Sequence, residues 1–446
     1  MNAPLALCAL ALLAAAPAQA ALDGRVSSLR ERYFKAGWAA ASAAVPPPPA
    51  AGSPVEDPAE PAPNPDEPVH DEHSTVAHMF ITRSAYAYYA SRYAGGELAS
   101  FIGEAAGDHP GSANHDTVVA GAFEEDKPFL NPWHELMSFN RHFWDYKKGD
   151  GAGWLGFDSS VERAHKYWTG GHDLDGKFDG GWSGGGDFSG VKDEGVLALY
   201  AKGDKAKAYW YLGHVAHLLE DLTVPAHNLL YPHPFHDSDK YETYMGEHFQ
   251  DWGKLPSGPV ESFDSLYALF RETAKITHHY DAGSGPGPLG ADGDLDRGSR
   301  RKTHFTEEQL KDEGRVLMPL AYARVAALFV YFYKQVDHAP PQVELETPAS
   351  TSLPRLRLKA RAWDAQSGVD RESLRYEFRR WTGGSWTAWT ETDPVFVAPV
   401  DGGLFSFRAW ASDAAGNRGR SPVKIVRFRP AGLVLFRTSS SRAGRS

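Results

Sequence analysis

The apolar residues of this chain change their spacing once, near Pro340. Before that point they recur every three to four residues, as on one face of a helix. After it they alternate with polar residues, as along a strand. The chain has 446 residues, enough for two or three domains. The change of spacing therefore predicts a mainly α protein, in which a helical domain is followed by a small all-β domain.

The helical domain is predicted to span residues 73–338. Its last helix has the clearest signals, because Thr306 and Gln309 form a capping box before a long apolar face. The predicted helices are Thr75–Tyr93, Trp133–Tyr146, Ser160–Trp168, Gly203–Leu222, Tyr241–Trp252, Ser262–Thr277 and Thr306–Val336.

The all-β domain is predicted to span residues 340–432. Leu356 and Leu358 alternate with charged residues, and Phe405 and Phe407 alternate with polar residues later in the chain. Turns separate such segments at a spacing of roughly ten residues, which is typical of a small antiparallel sandwich. Residues 433–446 form a polar tail.

Two turns in this region carry a more specific pattern. WDAQSGV and FRAWASDAAGNRG, at Trp363–Val369 and Phe407–Gly419, resemble the corners of fibronectin-type and immunoglobulin-like modules on secreted bacterial enzymes. This resemblance implies an immunoglobulin-like fold for the β-sandwich.

The first 20 residues have the composition of an export signal. Their apolar stretch is too short to span a bilayer, and Ala18-Gln19-Ala20 supplies the small residues of a cleavage site. The segment predicts a secreted, periplasmic or extracellular protein. Residues 21–72 follow as an N-terminal segment that ends in a proline-rich acidic linker.

Charge is distributed unevenly along the chain. From Arg355 to the end there are 17 Lys and Arg against 8 Asp and Glu, a net charge of +9, whereas residues 1–354 carry −20. An acidic surface repels phosphates, so no stable nucleic-acid partner is expected. The basic C-terminal region predicts peripheral contact with an anionic membrane surface at low salt.

Histidine and cysteine usage narrows the chemistry. Eighteen of the nineteen histidines lie between His70 and His304, which indicates a use for imidazole in the helical domain. The only cysteine, Cys8, lies in the predicted signal. A mature chain would therefore lack a thiol for disulfides, for cysteine-ligated zinc or for cysteine catalysis.

Residues 208–228, AYWYLGHVAHLLEDLTVPAHN, carry the most informative pattern. His217 and Asp221 are four residues apart on one predicted helix, so they project from the same face and can bind one metal ion. Pro225 should end that helix and place His227 on the turn, within reach of a neighbouring ion. Taken alone, the His–Asp pair is explained equally well by a solvated salt link.

The same run resembles the signature of the zinc-dependent phospholipase C and S1/P1 nuclease superfamily, Leu-Gly-x-x-x-His-x-x-x-Asp-x-x-x-Pro-x-His. All of its named positions are present, as Leu212, Gly213, His217, Asp221, Pro225 and His227. The resemblance extends from about His78 to Val336. It implies a helical phosphodiesterase that binds two or three zinc ions.

The resemblance also implies metal ligands outside the signature. The expected histidine four residues before Glu242 is absent, and we take His236 for that place, with His233 and His248 as alternatives. His214, one turn before His217, either orients a ligand or is a partly buried surface histidine. The implied metal ligands are His78, Asp126, His142, His217, Asp221, His227, His236 and Glu242.

A metal-activated water is the implied nucleophile, with Asp126 as bridging ligand and general base. The acidic helical domain favours phospholipid head groups over other phosphodiesters, because polyanion binding requires Lys and Arg. Two alternatives stay open at this point. One is a single-strand nuclease of the same superfamily, and the other is a non-catalytic surface-binding protein stabilised by a metal.

Overall fold

A computed structural model of the protein describes residues 72–103, 117–125, 141–149, 158–170, 194–230, 240–281, 285–286 and 306–429. The predicted export signal, the proline-rich linker and the C-terminal tail lie outside these residues. The chain divides into two compact units, residues 1–91 with 98–336, and residues 92–97 with 337–446. Helices build the first unit and strands the second, so the predicted fold class is confirmed.

Helix α6 is the centre of the first unit. It packs against α1, α3, α4, α5 and α10, and it is buried along nearly its whole length from Ala208 onward. Asp204 caps its N-terminus by accepting a hydrogen bond from the backbone of Lys207. The helices are α1 Glu72–Arg92, α2 Leu98–Phe101, α3 Val118–Glu124, α4 Ser160–Thr169, α5 Val196–Lys202, α6 Lys205–Asp221, α7 Pro225–Asn228, α8 Lys240–His248, α9 Leu266–Thr277 and α10 Glu307–Val336.

Two glycines let helices α3 and α6 approach each other closely. A Cβ atom on Gly213 would lie 2.1 Å from the carbonyl oxygen of Val118, and one on Gly121 would lie 1.9 Å from the carbonyl oxygen of Trp210. Only glycine fits at both positions. The signature glycine, Gly213, therefore sets the distance between the two helices.

Helix α10 is the one described helix that is long and apolar enough to cross a membrane. Of its most apolar window, 78% is buried inside the protein. A core helix of this composition is expected where neighbouring helices surround it on all sides.

The predicted helix Trp133–Tyr146 is wrong over the part that the structure describes. Residues 141–146 are turn and irregular backbone. The amide of Trp144 donates to the carbonyl of His227, and the amide of Ser160 donates to the carbonyl of Phe143. These bonds to distant segments replace the bonds that a helix would make within itself.

In the second unit, strands of more than one sheet share a single apolar core. Val343, Leu356, Phe396 and Phe407 belong to that core. The largest sheet has the strand order β10-β9-β12-β14-β5, with β13 paired to β12, and the separate pairs are β4 with β7 and β6 with β11. The strands are β4 Gln342–Glu346, β5 Ser350–Thr351, β6 Arg355–Arg357, β7 Lys359–Trp363, β8 Val369–Asp370, β9 Arg375–Arg380, β10 Thr390–Thr392, β11 Val395–Val397, β12 Gly403–Ser412, β13 Arg418–Arg420 and β14 Lys424–Phe428.

The second unit also contains a short segment from early in the chain. Strand β1, Tyr93–Ala94, pairs antiparallel with β8, and Arg92 forms an ion pair with Asp370 at 2.8 Å. The alternation of apolar and polar residues did not predict strand β1, because a strand of two residues is too short to show it. The remaining short strands, β2 Tyr280–Asp281 and β3 Gly285–Pro286, pair with each other in the first unit.

The two predicted corners of the sandwich meet in a cluster of three buried carboxylates, Asp337, Asp364 and Asp413. Asp364 accepts hydrogen bonds from the backbone of Ser367 at 2.8 Å and of Gly368 at 3.1 Å. Asp413 accepts hydrogen bonds from the backbone and the side chain of Asn417. The Asp and Asn residues of these turns therefore hold the backbone in place.

Candidate metal centre

Asp221 lies at the centre of a buried cluster of four histidines. Its Oδ1 is 3.4 Å from His78 Nε2 and 3.6 Å from His227 Nδ1. Its Oδ2 is 2.9 Å from His142 Nδ1 and 3.3 Å from His217 Nε2. Each carboxylate oxygen therefore faces two imidazoles.

Helix geometry places the first of these histidines. His217 and Asp221 lie on successive turns of α6 and are almost completely buried. His217 Nδ1 is 2.7 Å from the carbonyl oxygen of Ala122 on α3. A carbonyl only accepts, so Nδ1 carries a proton and Nε2 is left facing Asp221.

His78 reaches the same point from helix α1. Its Nδ1 is 2.7 Å from Glu220 Oε2, and the other oxygen of Glu220 accepts a hydrogen bond from Thr82 at 2.7 Å. The rings of His78 and His217 are 3.9 Å apart between centroids. Glu220 thus orients His78 so that its Nε2 faces Asp221.

His142 arrives on the irregular segment 141–149 rather than on a helix. While Nδ1 faces Asp221, Nε2 lies 3.7 Å from Glu125 Oε1. The backbone bond from Trp144 to His227 ties this segment to the turn after α6. The segments that carry His142 and His227 are therefore held together by their main chains.

A second donor group adjoins the first. His227 lies on the short helix α7, which Pro225 begins, and its Nε2 is 3.3 Å from Glu242 Oε1 on α8. Asp221, His227 and Glu242 form one group able to hold an ion, and His78, His217 and Asp221 form another. Asp221 belongs to both, so two neighbouring ions could share it.

The electrostatics of the cluster favour a charged carboxylate. Burial opposes ionisation of Asp221, but His217, His227 and His142 outweigh it and hold its pKa well below the usual value. Imidazole nitrogens with carboxylate oxygens are donors that suit zinc. The donor types and their convergence on one carboxylate therefore fit the predicted metal.

A second buried network lies behind His142. Glu125 pairs with Arg163, and it accepts hydrogen bonds from His214 and from the hydroxyl of Tyr167. Burial alone would raise the pKa of Glu125, but Arg163 and the histidines His142 and His214 lower it well below the usual value. His214 therefore contacts Glu125, the same carboxylate that lies 3.7 Å from His142.

The structure brings together six of the eight residues that the resemblance implies, His78, His142, His217, Asp221, His227 and Glu242. Asp126 and His236 lie outside the described residues, as does the alternative His233, and their roles stay predictions. His248 stacks on Tyr244 and lies 3.6 Å from Asp251 at the surface.

Glu220 and Glu125 were missed at the level of sequence. Each directly precedes a residue that the resemblance did assign, Asp221 and Asp126 respectively. Consecutive acids in the runs LLED and FEED were the available signal. Nothing in the spacing shows that Glu220 contacts a histidine 142 residues away.

No family model matches the chain, and no curated protein matches it. Among solved structures, the chain is similar to the alpha-toxin of an avian strain of Clostridium perfringens, with 11% identity over 79% of this chain and 97% of that one and a TM-score of 0.37. It is also similar to the alpha toxin of Clostridium absonum, with 12% identity over 82% of this chain and 91% of that one and a TM-score of 0.32. Both TM-scores are below 0.5.

Proposed function

We propose that the first unit is a secreted zinc-dependent phosphodiesterase that hydrolyses phospholipid head groups. The position of Asp221 carries the proposal, because it lies among four imidazoles and belongs to both donor groups. The resemblance of residues 208–228 to the superfamily signature supports the same chemistry. The predicted export signal supports secretion.

The residues of the site would hold two neighbouring zinc ions. His78 and His217 would bind one ion together with Asp221, and His227 with Glu242 would provide the other group. His142 lies 2.9 Å from the same carboxylate and would add a further nitrogen. Zinc bound there would lower the pKa of a coordinated water toward about 7 and neutralise the phosphate oxygens.

The protein contributes orientation and a proton acceptor. The carbonyl of Ala122 fixes the tautomer of His217, and Glu220 orients His78, so little rearrangement is required when substrate binds. Asp126, which the resemblance assigns as bridging ligand, would accept the proton of the attacking water. A side-chain nucleophile is not required for this reaction.

Charge supports a lipid rather than a nucleic acid as substrate. Residues 1–354 carry −20, and a nuclease would have to bind a polyanion at that surface. A phospholipid offers a single phosphodiester, which the proposed zinc ions would neutralise locally.

The test is metal content together with turnover of purified protein. We expect two or three zinc ions per chain, hydrolysis of phosphatidylcholine vesicles, and loss of both zinc and activity after chelation, with recovery on adding zinc. His217→Ala should abolish turnover and release metal. His248→Ala also removes one imidazole but lies outside the donor groups, and it should behave as the unmodified protein.

Two results would contradict the proposal. Less than one transition metal per chain would rule out the zinc centre. Rapid degradation of single-stranded DNA with intact lipid, under the same zinc-replete conditions, would replace the lipid with a nucleic acid as substrate.

A further inference from the structure

One face of the large sheet in the second unit has an unusual composition. Along β12, the buried residues Phe405 and Phe407 alternate with Arg408 and Trp410, which therefore lie on the outer face. Pairing continues this face onto the neighbouring strands. Trp410 lies between Arg375 of β9 and Arg420 of β13.

The tryptophans of this face are stacked against guanidinium groups. Arg408 lies 4.0 Å and Arg379 4.6 Å from the ring centroid of Trp389, and Arg418 lies 3.7 Å from that of Trp410. A stacked guanidinium keeps its N–H donors free in its own plane and its charge at the surface. The stacking therefore holds cationic groups against the tryptophans on the outer face of the sheet.

Cations outnumber acids on this face. The pairing register places Glu377 and Glu391 there, and each is already engaged, with Arg408 and Arg375 respectively. We call the six outward arginines the arginine face, namely Arg375, Arg379, Arg408, Arg418, Arg420 and Arg427. Six arginines against two acids leave a local excess of positive charge.

Exposed apolar side chains lie among these arginines. Ile425, which pairs with Ser406 on the same face, is 52% exposed, and Trp381 is 37% exposed. Arginine with interfacial tryptophan and exposed aliphatic groups suits the boundary between phosphates and acyl chains.

We propose that the arginine face docks the protein onto an anionic phospholipid bilayer. Its charge is complementary to lipid phosphates, and its exposed tryptophan and isoleucine suit the zone just below the head groups. The membrane contact predicted from the basic C-terminal region would then lie on this face of the second unit. It does not depend on the metal centre.

Vesicle sedimentation of the full-length protein tests this directly. Binding should occur with phosphatidylcholine vesicles that contain phosphatidylserine, and it should fall with added salt. Arg420→Gln with Arg427→Gln removes two exposed arginines of the face. Each arginine near an anionic surface strengthens binding severalfold, so the loss of two arginines should weaken binding about 30-fold.

The matched control is Arg355→Gln with Arg357→Gln. These arginines are also exposed, and replacing them removes the same charge, but they lie on β6, outside the large sheet. We expect this pair to weaken binding by less than about 3-fold. Sedimentation measures binding without turnover, so its failure would leave the proposed hydrolysis untouched.

Three outcomes would overturn the proposal. Equal losses in the two double variants would show an effect of net charge rather than of this face. Absence of binding to anionic vesicles would refute it directly. Binding to soluble heparin, without binding to vesicles, would assign the face to an anionic polymer instead.

Discussion

His78 Nδ1 lies 2.7 Å from the carboxylate of Glu220, while His78 Nε2 lies 3.4 Å from the carboxylate of Asp221. One imidazole therefore lies between two consecutive acids of helix α6. Within the proposed centre, the two acids have different tasks. Asp221 would bind metal, and Glu220 would position the ring that binds beside it.

Replacing Glu220 should weaken zinc binding without unfolding the protein. Glu220→Ala removes the acceptor for His78 and for Thr82, and the loss of such an orienting partner typically costs 10- to 100-fold in metal affinity. Glu220→Gln keeps one carbonyl acceptor and should lose less. Competition with a chromophoric chelator measures the affinity independently of turnover.

Glu247→Gln is the control for that measurement. Glu247 is exposed on α8, close in sequence to Glu242 but directed away from the centre. The zinc affinity of the Glu247→Gln variant should equal that of the unmodified protein. An unchanged affinity in Glu220→Ala would mean that Glu220 only fills space beside His78.

His214 and His217 should differ sharply although they are one turn apart. His217→Ala removes a proposed ligand, and we expect it to abolish turnover of a soluble phosphodiester. His214→Ala leaves Arg163 and Tyr167 in contact with Glu125, so at least about a tenth of kcat/KM should remain. Comparable losses in both variants would show that the ligand face of α6 is misassigned.

The sequence predicted the parts of this site that depend on local geometry. The spacing of His217 and Asp221 requires a common helix face. Helix α6 ends at Asp221, and Pro225 begins the short helix α7, which places His227 near Asp221. The path of His142 was not predictable in this way. Its segment follows hydrogen bonds to the distant residues His227 and Ser160, and no local pattern encodes them.

Gly213 is expected to be intolerant of any side chain. The Cβ of Gly213→Ala would meet the backbone oxygen of Val118 at 2.1 Å, so helix α3 would have to move. We expect a loss of about 1 to 3 kcal/mol in the free energy of unfolding of the first unit. Displacement of α3 would also lengthen the hydrogen bond from His217 to Ala122, so zinc affinity should fall together with stability.

Thermal unfolding and zinc titration of the same samples check both effects. Gly384→Ala is a suitable control, because nothing lies within 4 Å of its added Cβ atom. Unchanged stability and zinc affinity in Gly213→Ala would show that the two helices can separate without cost.

Asp413 should make the second unit more stable as the pH falls from about 7 toward 4. Burial raises the pKa of Asp413 to about 6, and repulsion from Asp337 and Asp364 adds to the effect. An unfolded chain binds this proton only near a pH of about 3.9. Because the folded chain is protonated first, the free energy of unfolding rises as the pH falls through 6 and levels off below about 4.

Asp413→Asn removes the charge and should flatten this pH dependence. Removing this charge should raise the free energy of unfolding at pH 7.5, where the folded carboxyl is ionised at a cost. Part of that gain is offset, because an amide at this position can accept only one of the two hydrogen bonds from Asn417. The slope of stability against pH is therefore the better measurement. Melting curves at pH 7.5 and pH 5 measure this slope, and Asp393→Asn, at an exposed position, is the control. If Asp413→Asn kept the slope of the unmodified protein, Asp413 would not be the source of the pH dependence.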